Sequence, residues 1–117
     1  TLTDANGNPV SGATITFTAP VSGASAAFTP VNGQAVTDAS GKASVLATAN
    51  TVAGGYSVTA AIGAVNTTFS LTNTAGAAAT MTISGGNNQS TPFSTAFAVP
   101  LEVTLTDSFS NPVSGVR

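Results

Sequence analysis

Asp4, Asn6 and Asn8 stand at alternate positions in one short segment, and alternating side-chain oxygens of that kind can converge on a hard cation. Asp38 and Asp107 open comparable segments and would serve in the same way. Calcium, however, takes about six to eight oxygens, several of them carboxylate, and no second carboxylate lies near any of the three aspartates in sequence. The same residues have a plainer use. An Asp at the first position of a turn accepts backbone N–H groups, and a Gly three residues on, Gly7 or Gly41, supplies a positive φ that ends the turn. Turns are the expectation at these sites, with no metal ligand assigned.

Other chemistry is equally thin. Lys42 would form a covalent amide with an Asn side chain only if buried beside a carboxylate, and its place in a turn makes it a solvated residue instead. The four carboxylates, Asp4, Asp38, Glu102 and Asp107, are spread over turns and one strand with no evident pair. With no His and no Cys, a serine has no imidazole partner, and thiol chemistry and disulfides are excluded. No catalytic residue and no cofactor-binding residue is assigned, and the chain is read as not an enzyme. A net charge of -2 with no basic cluster also removes the electrostatic footprint that nucleic acid or an anionic bilayer requires.

The elements that carry these residues are strands. Twenty Thr and thirteen Ser keep the surface wet where charge is scarce, and the branched Cβ of Thr suits a pleated surface. Between Lys42 and Glu102 there is no charge at all, yet polar residues break the run long before about 18 consecutive apolar residues accumulate, so no membrane span is expected. Apolar residues recur at period 2. Ala13, Ile15, Phe17 and Ala19 share one parity, as do Tyr56, Val58 and Ala60, then Val65, Phe69 and Leu71, then Leu101, Val103 and Leu105. Met81 with Ile83 marks a further strand, residues 26 to 29 and 43 to 47 are weaker ones, and residues 62 to 64 read as a hairpin turn. No stretch carries a helical period.

A repeat sets the organisation. Leu2-Thr3-Asp4 recurs as Leu105-Thr106-Asp107, and Asn8-Pro9-Val10-Ser11-Gly12 recurs as Asn111-Pro112-Val113-Ser114-Gly115, every pair offset by 103 residues. A period near 100 residues fits whole sandwich domains in tandem. The chain starts at Thr1 with no signal peptide in view and is expected to be a slice of a longer array.

These residues also carry a family likeness. Leu2 to Asp4 with Gly7 to Gly12, residues 13 to 17, Thr37 to Ala43, Gly55 to Ala60, Phe69 to Asn73, and Ile83 to Gln89 leading to Pro100 to Val103 resemble the invasin and intimin type of bacterial immunoglobulin-like repeat. The resemblance implies an all-β, antiparallel, Greek-key immunoglobulin-like β-sandwich without disulfides. It further implies tandem repeats on a large surface-attached or secreted bacterial adhesin, where each acts as a spacer whose partners are its neighbouring repeats. A host-surface receptor would be met by another domain. In a bacterial protein the glycosylation-like triplets Asn66-Thr67-Thr68 and Asn88-Gln89-Ser90 carry no weight.

Domain phase follows from the offset: residues 1–74 should be most of one repeat without its opening strands, and 75–117 the opening strands of the next, able to fold back and complete the first sandwich. The core should comprise Ile15, Phe17, Phe28, Val45, Tyr56, Val58, Phe69 and Leu71. Tyr56 resembles a corner tyrosine whose hydroxyl bonds to backbone. Where the first copy has Gly7 the second has Ser110, which means either a different turn or strain at positive φ. A competing reading, a repeat that itself binds a host protein or glycan through loops or a sheet face, rests on Phe93, Phe97 and Phe109 being exposed.

Overall fold

A computed structural model describes residues 1–117, and all of its regular elements are strands. The chain divides into two compact units, Thr1–Asn73 and Thr74–Arg117. Since there is no helix, none is long and apolar enough to cross a membrane.

The first unit contains β1 (Thr14–Thr18), β2 (Ala26–Thr29), β3 (Gln34–Val36), β4 (Leu46–Ala49), β5 (Gly54–Ile62) and β6 (Val65–Asn73). They form an antiparallel four-stranded sheet, ordered β3-β1-β5-β6, and a two-stranded sheet of β2 and β4. The chain passes from one sheet to the other at every step from β1 to β5, as the crossing connections of a sandwich require. Period-2 patterning decides which side faces in: Phe17 pairs with Ala60 and Val58 with Phe69, so all four lie on one face, while Thr16, Thr18, Thr59 and Thr68 take the other. The Phe17 ring meets Phe28 of the opposite sheet at 6.4 Å and Phe69 of its own sheet at 6.3 Å between centroids.

Burial is uneven across that face. Ile15, Val58 and Ala60 are buried, with Val58 only 3% exposed, whereas Phe69 on β6 remains 48% exposed and Val65 is exposed as well. An apolar cavity of about 310 Å³ opens between the sheets, lined among others by Phe17, Phe28, Val45, Phe69 and Leu71. The anticipated core is thus assembled around Phe17 but closed only at its β1–β5 side. Tyr56 is half-buried opposite Leu71, and its hydroxyl makes no hydrogen bond, so the corner contact anticipated for it is not formed. Gly63 and Ala64 make the two-residue turn of the β5–β6 hairpin, with Gly63 at φ 56°.

Two strands depart from the periodic reading. β4 occupies Leu46–Ala49 in place of 43 to 47, because the Asn50 amide donates to the Ser25 carbonyl at 2.9 Å and fixes the ladder from the Ala26–Ala49 pair. β3, three residues long, gives too little alternation to be seen in sequence; the Asn32 side chain receives its first N–H, from Gln34, at 3.1 Å.

One end of the first unit is tied by two side-chain amides. Asn73 is buried and its Nδ2 donates to the Ser25 carbonyl at 3.0 Å, the Val52 carbonyl at 3.1 Å and Asn50 Oδ1 at 3.0 Å. Asn50 Oδ1 also accepts the Ser25 amide at 3.1 Å, and Asn50 Nδ2 donates to the Gly23 carbonyl at 2.8 Å. The last residue of β6 therefore fastens the loops before β2 and after β4.

In the second unit β7 (Thr80–Gly85) pairs antiparallel with β8 (Glu102–Thr106), with a bulge between Ile83 and Gly85. Glu102 to Thr106 thus form a ladder with Thr80 to Gly85, one residue on from the Leu101 to Leu105 run read in the sequence. Gln89 staples the long β7–β8 connection, donating to the Gly86 and Val99 carbonyls and accepting the Val99 amide, all within 2.8 Å.

Asn73→Ala would remove the three hydrogen bonds of a buried amide, to the Ser25 and Val52 carbonyls and to Asn50 Oδ1, each contributing about 0.5–1.5 kcal/mol net. Urea unfolding should show a loss of about 2 kcal/mol, with the slope of the transition unchanged.

Candidate functional site

The three aspartates prove to be three copies of one loop. In the first, the Asp4 amide donates to the Asn8 carbonyl at 2.9 Å and the Gly7 amide to the Asp4 carbonyl at 3.1 Å, closing the reversal. Asp4 Oδ1 then accepts the Asn6 and Asn8 amides, both at 2.9 Å, and Oδ2 accepts Asn8 Nδ2 at 3.1 Å. The second copy repeats each bond. Asp107 N donates to the Asn111 carbonyl at 3.0 Å and Ser110 N to the Asp107 carbonyl at 3.1 Å, while Oδ1 accepts Phe109 N at 2.9 Å and Asn111 N at 3.0 Å, and Oδ2 accepts Asn111 Nδ2 at 2.9 Å. Each loop returns along its entry strand, through a Thr3–Pro9 bridge in one case and Thr106–Pro112 in the other.

The Asp38 loop follows the same plan. Oδ1 accepts Ser40 N at 2.8 Å and Lys42 N at 3.0 Å, and Gly41 N donates to the Asp38 carbonyl at 2.9 Å. Lys42 stands where the other two loops have Asn, and it is exposed. Gly41, at φ 71°, lets this loop lie against the Asp4 loop: Leu2 N donates to the Gly41 carbonyl at 2.7 Å, and any Cβ at 41 would collide with the Leu2 carbonyl oxygen.

These bonds decide the electrostatics. The Asn8 side chain, followed by its backbone N–H, holds Asp4 below the ordinary carboxylate value of 3.8. For Asp38 the Lys42 backbone N–H is the main cause of the same shift, helped by the Ser40 amide and the lysine charge. Asp107 is lowered to about 2, chiefly by the Asn111 amide and then by Gly76 N, which donates to its Oδ2 at 2.9 Å. Each carboxylate is therefore ionised at neutral pH, and Asp4 and Asp107 accept internal N–H donors on both oxygens while Asp38 accepts them on Oδ1, which suits a structural staple. Nowhere in the chain do three His, Cys, Asp or Glu side chains gather as a metal site would need.

Asn8, weighed in sequence only as a turn or ligand oxygen, acts through its amide nitrogen as a donor, and Asn111 does the same. The grip of Asp107 on Gly76, 31 residues away, has no local signal in the sequence. Nor do the Asn50 and Asn73 amides. Asn66 lies exposed on β6, and Asn88 sits in the loop after β7 at φ 57°.

Ser110 resolves the alternative left by Gly7: the loop keeps its form and the serine takes φ 65° where Gly7 takes 82°. That region costs a residue with a Cβ about 1–2 kcal/mol. Ser110→Gly should therefore raise, and Gly7→Ser lower, the unfolding free energy by about 1 kcal/mol in urea titrations. Acid should act through the same loops. Carboxylates whose folded pKa is depressed contribute stability that is complete above the ordinary value of 3.8 and is lost as pH falls towards the folded value, about 2 for Asp107. The midpoint of thermal unfolding should hold steady from pH 7 to about 5 and then fall progressively down to about 2. Asp107→Asn should flatten part of that fall.

The model of the bacterial Ig-like domain (group 1) family matches residues 1–72. Over 120 aligned positions the chain is 36% identical to the inverse autotransporter adhesin YeeJ of Escherichia coli (strain K12), in a match that takes in 100% of this chain and 5% of that protein. No solved structure matches the chain. The family match, the antiparallel two-sheet unit and the absence of cysteine agree with a disulfide-free immunoglobulin-like β-sandwich. The chain belongs to the bacterial Ig-like domain (group 1) family.

Proposed function

We propose that the chain is a non-catalytic spacer repeat in the stalk of a bacterial cell-surface or secreted adhesin, holding a distal binding domain at a distance. The observation that carries this is the loop built twice, bond for bond, at residues 2–10 and 105–113. A unit reproduced at a fixed offset, with its carboxylates engaged internally, is suited to making length and stiffness. Similarity to part of an inverse autotransporter adhesin supports attachment at the outer membrane as the setting. Neighbouring repeats of the same chain would be its partners, and a host receptor would be met elsewhere in the parent protein.

One observation favours a second reading. Phe93 is 95% exposed in the β7–β8 connection, and Phe97 and Phe109 are also exposed. Exposed aromatics are common at binding hot spots, so a repeat that itself contacts a host protein or glycan has residues to do it with.

Cell-binding assays separate the two. For a spacer, beads coated with the purified chain should bind host cells no better than uncoated beads, and removing one repeat from the parent adhesin should shorten its reach while leaving receptor affinity unchanged. Saturable binding of the chain that is lost in Phe93→Ser would overturn the spacer reading.

A further inference from the structure

Two asparagines precede a glycine, Asn6-Gly7 and Asn32-Gly33, and asparagine is among the chemically labile residues. The backbone nitrogen of the following residue can attack the side-chain carbonyl carbon, and a glycine, lacking Cβ, leaves that nitrogen unshielded. Both glycines stand at positive φ, 82° and 65°. What surrounds each pair decides which can react.

Asn6 is exposed, and its hydrogen bond is the backbone N–H it gives to Asp4 Oδ1 at 2.9 Å, so its side-chain amide is free to turn. Nothing lies within 4 Å of where a Cβ on Gly7 would stand, and the Gly7 N–H donates to the Asp4 carbonyl at 3.1 Å in an exposed turn. Asn32 is held on several sides instead. Its Oδ1 accepts Gln34 N at 3.1 Å, Gly33 N donates to the Pro30 carbonyl at 2.9 Å, and the Gly33 carbonyl accepts Phe17 N at 2.7 Å. Gly33 is buried, and a Cβ there would collide with the Phe17 carbonyl oxygen. Ring closure at Asn32 would have to disturb the entry to β3 and the bond to β1 together.

The other asparagines lack the glycine. Asn50, Asn66 and Asn73 precede threonine, whose branched Cβ crowds the nitrogen, and Asn87 and Asn88 precede long amides. Asn8 and Asn111 precede proline, which has no N–H to lose, so the two amides that clasp Asp4 and Asp107 are spared. The second loop has Phe109-Ser110 where the first has Asn6-Gly7, with the same bonds to its aspartate.

We propose that Asn6 is a site of spontaneous modification in the folded chain, with water as the co-reactant. The Gly7 nitrogen gives its proton to solvent base and bonds to Asn6 Cγ, the Cγ–Nδ2 bond breaks, and the nitrogen, protonated by solvent, leaves as ammonia. Water then adds to either carbonyl of the five-membered imide and opens it to aspartate or isoaspartate. One water is consumed and one ammonia released. The product carries a new carboxylate near Asp4, and the isoaspartate form inserts a carbon into the main chain between the residue 6 and residue 8 N–H groups that Asp4 Oδ1 accepts. The Asp4 loop therefore loosens with age while its Asp107 counterpart does not.

Incubation of the purified chain in warm, mildly alkaline buffer tests this, read by peptide mass mapping, ammonia release and isoaspartyl methyltransferase labelling. Residue 6 should gain about one dalton and become a methyl acceptor while Asn32 stays unchanged. In guanidinium chloride, where nothing holds Asn32, both pairs should react. Gly7→Ser, the residue of the second copy, should suppress the gain at residue 6. Asn6→Ser, at a side chain without a partner, should keep its circular dichroism and lose most of the ammonia release. The aged chain should melt at a lower temperature than Asn6→Ser aged alongside it. An intact Asn6 in the folded chain, Asn32 modified as fast as Asn6, reactivity undiminished in Gly7→Ser, or an unchanged melting midpoint would overturn the inference.

Discussion

A carboxylate oxygen that accepts the N–H groups two and four residues ahead is the joint on which this chain turns. At Asp4, Asp38 and Asp107 it fixes a reversal with no help from bulk, disulfide or ion pair. The chain has few other means. With 5% charged residues and no Cys, its strands are separated by loops that must define their own shape. Because each loop returns against its entry strand, the side chains of Leu2 and Leu105 and of Val10 and Val113 are set by the same few bonds. A charged acceptor is stronger than a neutral one, so one acidic residue in each loop does what several weaker contacts would otherwise do.

The sandwich between these joints is held by few large side chains. Phe17 touches both sheets through Phe28 and Phe69, Ala60 is buried on the same face, and Ala47 lines the cavity left between the sheets. Small side chains bring little apolar area each, so the amide network of Asn50 and Asn73 takes over where the aromatic contacts end. Threonines on the outer strand faces keep the sheets soluble without charge.

How much was legible in advance follows from the range of each interaction. Alternation over five or more residues exposed β1, β5, β6 and β8, since period 2 is a local consequence of the pleat. β3 was invisible at three residues, and β4 slid by three because its register is set by Asn50, not by its own pattern. The Asp loops were legible as turns, since Asp and Gly act over four residues. Which atoms filled them was not. Tyr56 looked like a corner tyrosine from its place in a strand, but that bond depends on backbone elsewhere in the fold, which no local pattern encodes.

The repeat carries the longest inference. Identity at Asp4/Asp107 and Asn8/Asn111 would mean little if the two loops folded differently, since short motifs recur by chance. Ser110 provides the sharpest comparison, because it is the position at which the copies differ most in conformational freedom. The serine accepts φ 65° and every flanking bond is kept, so the remaining contacts outweigh a local cost of about 1–2 kcal/mol. A loop that survives its least favourable substitution is determined by the aspartate and asparagine that persist. That same determinacy lets residues 104–115 present the same groups as residues 1–12, and it makes a sandwich of this kind repeatable along a chain.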